Sequence, residues 1–119
     1  MKRILVVDDE KLVREGIQDA LSDEGYTVYT ASNGTGALKA LQVFIPDVIV
    51  TDIIMPEADG IEVLLYAKKL QPRPRIIAIS GGGRISANDH LATARKLGAD
   101  VILTKPFSIE TLLEAIEKQ

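Results

Sequence analysis

Two patterns of apolar and polar positions alternate along this chain. Short continuous runs rich in β-branched residues predict strands that are buried on both faces. Apolar residues that recur every three or four positions between those runs predict amphipathic helices. Four such runs are Ile4–Val7, Val48–Asp52, Arg75–Ser80 and Val101–Thr104, and the alternating, β-rich stretch Tyr26–Ala31 predicts a fifth strand. The five predicted helices are marked by the apolar residues from Val13 to Leu21, Ala37 to Phe44, Ile61 to Leu65, Leu91 to Leu97 and Ile109 to Ile116.

This alternation predicts an α/β fold in which helices cover both faces of a parallel sheet. In open sheets of this kind, a functional site is expected outside the carboxyl ends of the strands, where the strand order reverses. The polar residues expected at those ends are Asp8, Asp9, Asp52, Ser80 and Lys105. Three carboxylates at close range oppose one another's ionisation, so a positive charge is expected among them.

Composition limits the classes of function that remain. The 119 residues predict one domain, and 46% hydrophobic with 26% charged residues is ordinary for a globular protein. The formal net charge of -3 gives no long-range attraction to nucleic acid or to anionic lipid. Cysteine is absent, which excludes disulfides. No apolar stretch approaches a membrane span or a signal peptide, so we expect a cytoplasmic protein.

The predicted cluster of acids, lysine and serine suits phosphoryl chemistry. Three carboxylates are too few for a calcium cage but suit a Mg²⁺ ion that keeps several waters. Lys105 supplies a fixed positive charge, and Ser80 supplies a hydrogen-bond donor for an anionic oxygen. A carboxylate placed beside these groups can attack a phosphoryl group. Asp52 stands alone at the end of a central strand, so it is the predicted nucleophile.

The motifs that carry this chemistry occur in a family-specific order. They are Val7–Glu10, Asp52–Pro56 with Asp59-Gly60, Ile79–Gly81, Gly98–Asp100 and Lys105–Phe107. Over essentially its whole length the chain resembles the receiver domain of bacterial two-component response regulators, the CheY-like family. The resemblance implies a flavodoxin-like (βα)5 fold, with a doubly wound parallel five-stranded sheet in strand order 2-1-3-4-5. It also implies a single receiver domain over residues 1–119, standing alone or separated from an output domain.

The resemblance implies a role for each residue of the cluster. Asp52 would accept a phosphoryl group from a sensor histidine kinase, a histidine phosphotransfer protein or a small phosphodonor. The implied ligands of Mg²⁺ are Asp9, Asp52 and the backbone carbonyl of Ile54, with Asp8 acting through water. Ser80 and Lys105 would hold the phosphoryl oxygens. The bond between Lys105 and Pro106 is a candidate cis peptide, a form accessible mainly to bonds that precede proline.

The resemblance further implies a phosphorylation-dependent switch that catalyses only its own phosphorylation and dephosphorylation. The Ser80 hydroxyl would move toward the phosphoryl group and change the surface of the fourth helix, fifth strand and fifth helix. That surface would control an output domain or target protein, without direct binding to nucleic acid or membrane, in a monomer or weak homodimer. Ile102 occupies the position that is commonly Tyr or Phe in the family, so the signal is expected to travel through the Gly81–Gly83 hinge and a smaller rearrangement of Ile102.

Three other interpretations account for parts of the pattern. Asp8 and Asp9 could cap the first helix, where its dipole favours acids. A phosphohydrolase of the haloacid dehalogenase type shares the acid, lysine, hydroxyl and Mg²⁺, but it needs a second acid at the position of Ile54, and steady phosphomonoester turnover would identify it. A flavodoxin-like flavin carrier would place its phosphate loop after the first strand, where Asp8 and Asp9 would repel the phosphate.

Overall fold

Five parallel strands form one sheet in the computed structural model, which describes residues 2–53, 60–80 and 98–117. The strands are β1 (Arg3–Val7), β2 (Thr27–Ala31), β3 (Val48–Asp52), β4 (Arg75–Ser80) and β5 (Val101–Thr104). Their order is β2-β1-β3-β4-β5, and every neighbouring pair is parallel. The predicted strand order and sheet type are therefore confirmed.

Helices lie on both faces of this sheet, as the alternating pattern predicts. The described helices are α1 (Lys11–Asp23), α2 (Gly34–Leu41), α3 (Gly60–Ala67) and a C-terminal helix (Ile109–Glu117). Buried residues of α1 and the C-terminal helix pack in one apolar cluster, and those of α2 and α3 pack in a second. The helix predicted between Leu91 and Leu97 and the predicted Gly81–Gly83 hinge lie outside the described residues.

The continuous apolar runs of the central strands follow from this two-sided cover. Successive residues of a strand point to opposite faces. In β1, Ile4 and Val6 join the cluster with α1 and the C-terminal helix, whereas Leu5 and Val7 join the cluster with α2 and α3. Every residue of β3 is buried. Residues at the end of β1 or β3 are therefore held by a rigid apolar core.

The ends of the elements differ from the predictions by a few residues, for local reasons. Strand β2 begins at Thr27 because the N–H of Tyr26 still bonds to the carbonyl of Leu21 in α1. Asn33 caps α2 by accepting a hydrogen bond from the N–H of Gly36 at 2.7 Å. That helix ends at Leu41, before the predicted Phe44.

The strand register aligns the carboxyl ends at one edge of the sheet. In the pairing of β1 with β3, Val7 lies opposite Thr51, so the residue after each of them emerges at the same level. Ser80 at the end of β4 lies opposite Thr104 of β5, directly before Lys105. Among the described helices, none has the length and apolar character needed to cross a bilayer.

Candidate functional site

Two neighbouring strands bring buried acids to the carboxyl edge of the sheet. Asp8 directly follows β1, and Asp52 is the last residue of β3. The chain winds in opposite directions from these two strands, so they flank the point where the strand order reverses. Asp8 is 0% exposed and Asp52 is 4% exposed. Burial of two like charges side by side is unfavourable unless a cation compensates them.

Asp8 is fixed by contacts at the start of α1. Its Oδ1 atom accepts a hydrogen bond from the N–H of Glu10 at 2.9 Å, and its backbone carbonyl accepts one from Nη1 of Arg14 at 2.9 Å. Its buried Oδ2 atom pairs with the ammonium of Lys105 at 3.0 Å, without hydrogen-bond geometry to any described residue. Buried carboxylate oxygens are usually satisfied, and here the satisfying partner is a cation. The Oδ1 contact lies just before α1, whose N-cap residue is Glu10, so capping of that helix does not account for the position of Asp8.

Lys105 supplies the positive charge that the sequence predicts among these acids. From the end of β5 its side chain reaches past β4, and its Nζ atom lies 3.0 Å from Asp8 Oδ2, 2.9 Å from Glu10 Oε1 and 3.2 Å from Asp52 Oδ2. Burial by itself lowers the pKa of Lys105, but hydrogen bonds to Glu10 and Asp8 and the charge of Asp52 outweigh that effect. The net result is a pKa raised above the ordinary value. Lys105 is therefore a permanent cation at neutral pH.

The acids of the cluster outnumber this cation. Asp8, Asp9, Glu10 and Asp52 each offer a carboxylate oxygen, and these four oxygens lie within 4.8 Å of one another. Among the described residues, Lys105 forms ion pairs with three of these four acids, namely Asp8, Glu10 and Asp52. Carboxylate oxygens are the hard ligands that Mg²⁺ prefers, and four acids around one lysine leave an excess of negative charge. The donor set thus fits a divalent cation.

The remaining predicted residues are placed to different degrees. The backbone of Ser80 reaches the same edge of the sheet, but its side chain lies outside the described part, as does all of Ile54. Ile102 lies in β5, half-buried, and packs against the cluster that contains α2 and α3. The bond between Lys105 and Pro106 is cis, as the resemblance implies.

Two residues of the site were given no role from the sequence. Glu10 contacts Lys105 through its side chain, and its position as the third consecutive acid was the signal available. Gly60 begins α3 and donates its N–H to the carbonyl of Ile53 at 2.9 Å. A Cβ atom at Gly60 would overlap the backbone oxygen of Asp52. The absence of a side chain at Gly60 therefore allows α3 to start directly against the end of β3.

The fold and the cluster together define a receiver-type signalling domain. The chain belongs to the response regulator receiver domain family, whose model matches residues 4–117. It is 38% identical over 117 residues to the chemotaxis protein CheY of Bacillus subtilis, a match that covers 98% of this chain and 95% of that protein.

Two further relatives are longer than this chain. The response regulator MprA of Mycobacterium ulcerans is 40% identical over 111 residues, which are 93% of this chain but 47% of MprA. The chain thus spans about half the length of that relative. A crystal structure of a response regulator protein from Burkholderia pseudomallei, with a phosphorylated aspartic acid, a calcium ion and citrate, superimposes with a TM-score of 0.86. The two share 30% identity, and the match covers 99% of this chain and 68% of that one.

Proposed function

We propose that this domain is the phosphoacceptor switch of a two-component system and that Asp52 receives the phosphoryl group. The observation that carries the proposal is the position of the Asp52 carboxylate, whose side chain is 6% exposed at the end of the sheet and whose Oδ2 atom lies 3.2 Å from the ammonium of Lys105. A buried carboxylate beside a fixed cation suits attack on an anionic electrophile such as a phosphoryl group. Because acids are in excess around it, a second cation is expected to accompany the phosphoryl group.

The transfer requires one bond to form and one to break. A carboxylate oxygen of Asp52 attacks phosphorus, and the bond from phosphorus to the histidine nitrogen of the donor breaks, with its electron pair returning to the imidazole. The product is an aspartyl phosphate, which is a mixed anhydride. Lys105 Nζ lies 3.2 Å from Asp52 Oδ2, close enough to contact an oxygen of a phosphoryl group carried on Asp52. Ser80 is proposed to donate its hydroxyl to another phosphoryl oxygen.

Magnesium would be held by the acids at the edge of the sheet. We assign Asp9, Asp52 and the carbonyl of Ile54 as ligands, with Asp8 acting through water. The grouping of four carboxylate oxygens within 4.8 Å of one another supports this assignment. When bound, the ion supplies positive charge to the phosphoryl oxygens as negative charge develops on them. The calcium ion and phosphorylated aspartic acid together in the Burkholderia relative support the same pairing of metal and acceptor.

Phosphorylation is proposed to act as a switch rather than to drive continuous turnover. The output would be a changed surface that includes β5 and the C-terminal helix, recognised by an output domain or target protein. Ile102 lies in β5 with its side chain half-buried, so a small movement there would alter packing on the α2 and α3 face. The partner upstream would be a sensor histidine kinase or a histidine phosphotransfer protein. The greater length of MprA supports an output segment beyond a receiver of this kind.

Phosphorylation of Asp52 is tested with small donors, which do not require the partner kinase. The protein is incubated with acetyl phosphate and Mg²⁺, or with beryllofluoride and Mg²⁺, and followed by mass spectrometry and by NMR. We expect wild type to gain one phosphoryl group, EDTA to abolish the gain, and Asp52→Asn to show none. Asp19→Asn, which neutralises an exposed acid of α1, serves as the matched control and should respond like wild type. An equal response from Asp52→Asn would overturn the assignment.

Substitution of Lys105 tests whether acceptance of the phosphoryl group can be separated from the conformational response. Lys105→Met should still accept a phosphoryl group, but the NMR shifts of the C-terminal helix should no longer change, because the cation that links the phosphoryl group to β5 is gone. A normal shift pattern in that variant would contradict this role. Sustained hydrolysis of a phosphomonoester by wild type would instead favour the phosphohydrolase alternative.

A further inference from the structure

We propose that Glu10 is a positioning residue that competes with the phosphoryl group for Lys105 and so weakens binding of a phosphoryl group at Asp52. This inference rests on the proposed function and extends it to a residue with no assigned role. Its starting point is the 2.9 Å contact between Glu10 Oε1 and Lys105 Nζ, which joins the first turn of α1 to the end of β5.

The ammonium of Lys105 is already surrounded by acceptors. A lysine ammonium carries three N–H donors and no acceptor. Three carboxylate oxygens lie within 3.2 Å of Lys105 Nζ, one each from Asp8, Glu10 and Asp52, and those of Glu10 and Asp52 accept hydrogen bonds from it. A phosphoryl oxygen that binds Lys105 must therefore compete with these carboxylates.

The three carboxylates differ in how easily they can leave. Asp8 is fully buried and is anchored through Oδ1 to the N–H of Glu10, so its carboxylate has nowhere to go. Asp52 is the acceptor itself and stays beside the phosphoryl group. The side chain of Glu10 is 61% exposed, compared with 1% for Asp8 and 6% for Asp52. Water can replace Lys105 around Glu10 at little cost, so Glu10 is the partner that gives way.

The contact between Glu10 and Lys105 therefore lowers the affinity of the site for a phosphoryl group. In the unphosphorylated domain Glu10 holds Lys105 in a satisfied state, and breaking that contact subtracts from the affinity of the site for a phosphoryl oxygen. An exposed ion pair is worth a fewfold change in an equilibrium constant, so this reduction in affinity should be about two- to fivefold.

The effect of contact must be separated from the effect of charge. Glu10 also places a negative charge at the mouth of the site, which would repel an anionic donor even without touching Lys105. Glu10→Asp keeps the charge but shortens the side chain by one methylene and withdraws it from Lys105. Glu10→Gln removes the charge and weakens the contact. The control is Glu15→Gln, the same change at an exposed position farther along α1.

Binding of beryllofluoride is the measurement, made by NMR titration at saturating Mg²⁺ and about 0.5 M salt, where the Debye length is only a few ångströms. We expect Glu10→Gln and Glu10→Asp to bind about two- to fivefold more tightly than wild type, and Glu15→Gln to match wild type. With ¹⁵N-labelled lysine side chains, the Lys105 ammonium signal of the unphosphorylated protein should shift in both Glu10 variants and stay in place in the control.

The outcomes distinguish this inference from the proposed function. If wild type itself fails to bind beryllofluoride, the proposed function is wrong. If wild type binds it and Glu10→Gln binds equally or more weakly, the role of Glu10 is overturned while the proposed function stands. If Glu10→Asp matches wild type while Glu10→Gln binds more tightly, charge alone is responsible and the positioning role is likewise overturned.

Discussion

The two ends of the parallel sheet contain acids that are satisfied in different ways. At the amino end, Asp47 and Asp100 are exposed, and each accepts a backbone N–H that begins a strand interaction. Oδ2 of Asp47 accepts from Arg3 at 2.8 Å, and Oδ2 of Asp100 accepts from Ile76 at 2.8 Å. Asp100 also pairs with Arg73 at 2.9 Å. Each acid at this end has a donor that belongs to the fold.

At the carboxyl end, Asp8 and Asp52 are buried and the acids outnumber the cation among them. Asp8, Glu10 and Asp52 share Lys105. The described acids at the amino end stabilise strand pairing, whereas those at the carboxyl end are grouped around one shared lysine. Excess charge of this kind is expected at functional sites, where local stability is given up.

The largest expected effect comes from the steric contact that shapes the carboxyl end. Gly60→Ala places a methyl group against the backbone of Asp52 and Ile53, neither of which can move without disturbing β3. We expect the free energy of unfolding to fall by about 3 kcal/mol, at the upper end for overpacking. Urea unfolding followed by circular dichroism measures this change.

The matched control for that substitution is Gly16→Ala. Gly16 lies exposed within α1, and a Cβ atom there would meet nothing within 4 Å. Alanine is the better helix former, so this change should raise the free energy of unfolding by about 1 kcal/mol. Equal stabilities for the two alanine variants would refute close approach of α3 to β3.

Neutralising an acid should have opposite signs at the two ends. Asp100→Ala leaves the N–H of Ile76 and the guanidinium of Arg73 without their acceptor, so we expect a loss of about 2 kcal/mol. Asp52→Asn relieves repulsion in the acid cluster while Lys105 keeps Asp8 and Glu10, so without Mg²⁺ it should gain about 1 kcal/mol. Urea unfolding in EDTA tests both. Destabilisation by Asp52→Asn would show that the carboxyl end is balanced after all.

Magnesium should stabilise only a protein whose carboxyl end is intact. At a concentration ten times its Kd, Mg²⁺ should add about 1.4 kcal/mol to the free energy of unfolding of wild type by mass action. Asp9→Ala removes a proposed direct ligand and should lose most of that gain at the same concentration. Calorimetric titration gives the Kd, and Asp19→Ala is the control on α1. The same stabilisation in Asp9→Ala would exclude Asp9 as a ligand.

The sequence predicts the residues at strand ends better than it predicts the contacts between side chains. Continuous β-branched runs locate four strands and an alternating stretch locates β2, and Asp8, Asp52 and Lys105 are foreseeable because each directly follows or ends such a run. The contact of Glu10 with Lys105 is not foreseeable in this way, because it depends on how far two long side chains reach between α1 and β5. Strand ends carry a positional signal, whereas side-chain partners do not.

The pattern of apolar residues also does not predict where α2 ends or how α3 begins. Gly60 occupies its position because α3 begins in contact with β3, which is a tertiary requirement that no local period encodes. The apolar spacing predicts that α2 extends to Phe44, but the helix ends at Leu41. Phe44 lies after the helix and packs against Tyr29, with ring centroids 4.6 Å apart. Apolar period cannot separate a helical residue from an apolar residue in the connection that follows.

The smallest expected effect lies at the amino end, where Tyr26 donates its hydroxyl to Glu117 at 2.7 Å and ties the C-terminal helix to the start of β2. Burial, followed by this hydrogen bond and the charge of Glu117, raises the pKa of Tyr26 from 10.0 to about 12. The folded state therefore favours the protonated form, so this contribution is complete below pH 10 and is lost as the pH rises toward 12. The difference in stability between wild type and Tyr26→Phe, below about 1 kcal/mol for so exposed a pair, should shrink across that window. Glu117→Gln should lower the folded-state pKa of Tyr26, so the loss should be complete nearer pH 10. A difference that stayed constant up to about pH 11.5 would contradict the link, since about 1.5 units of that window lie below this pH.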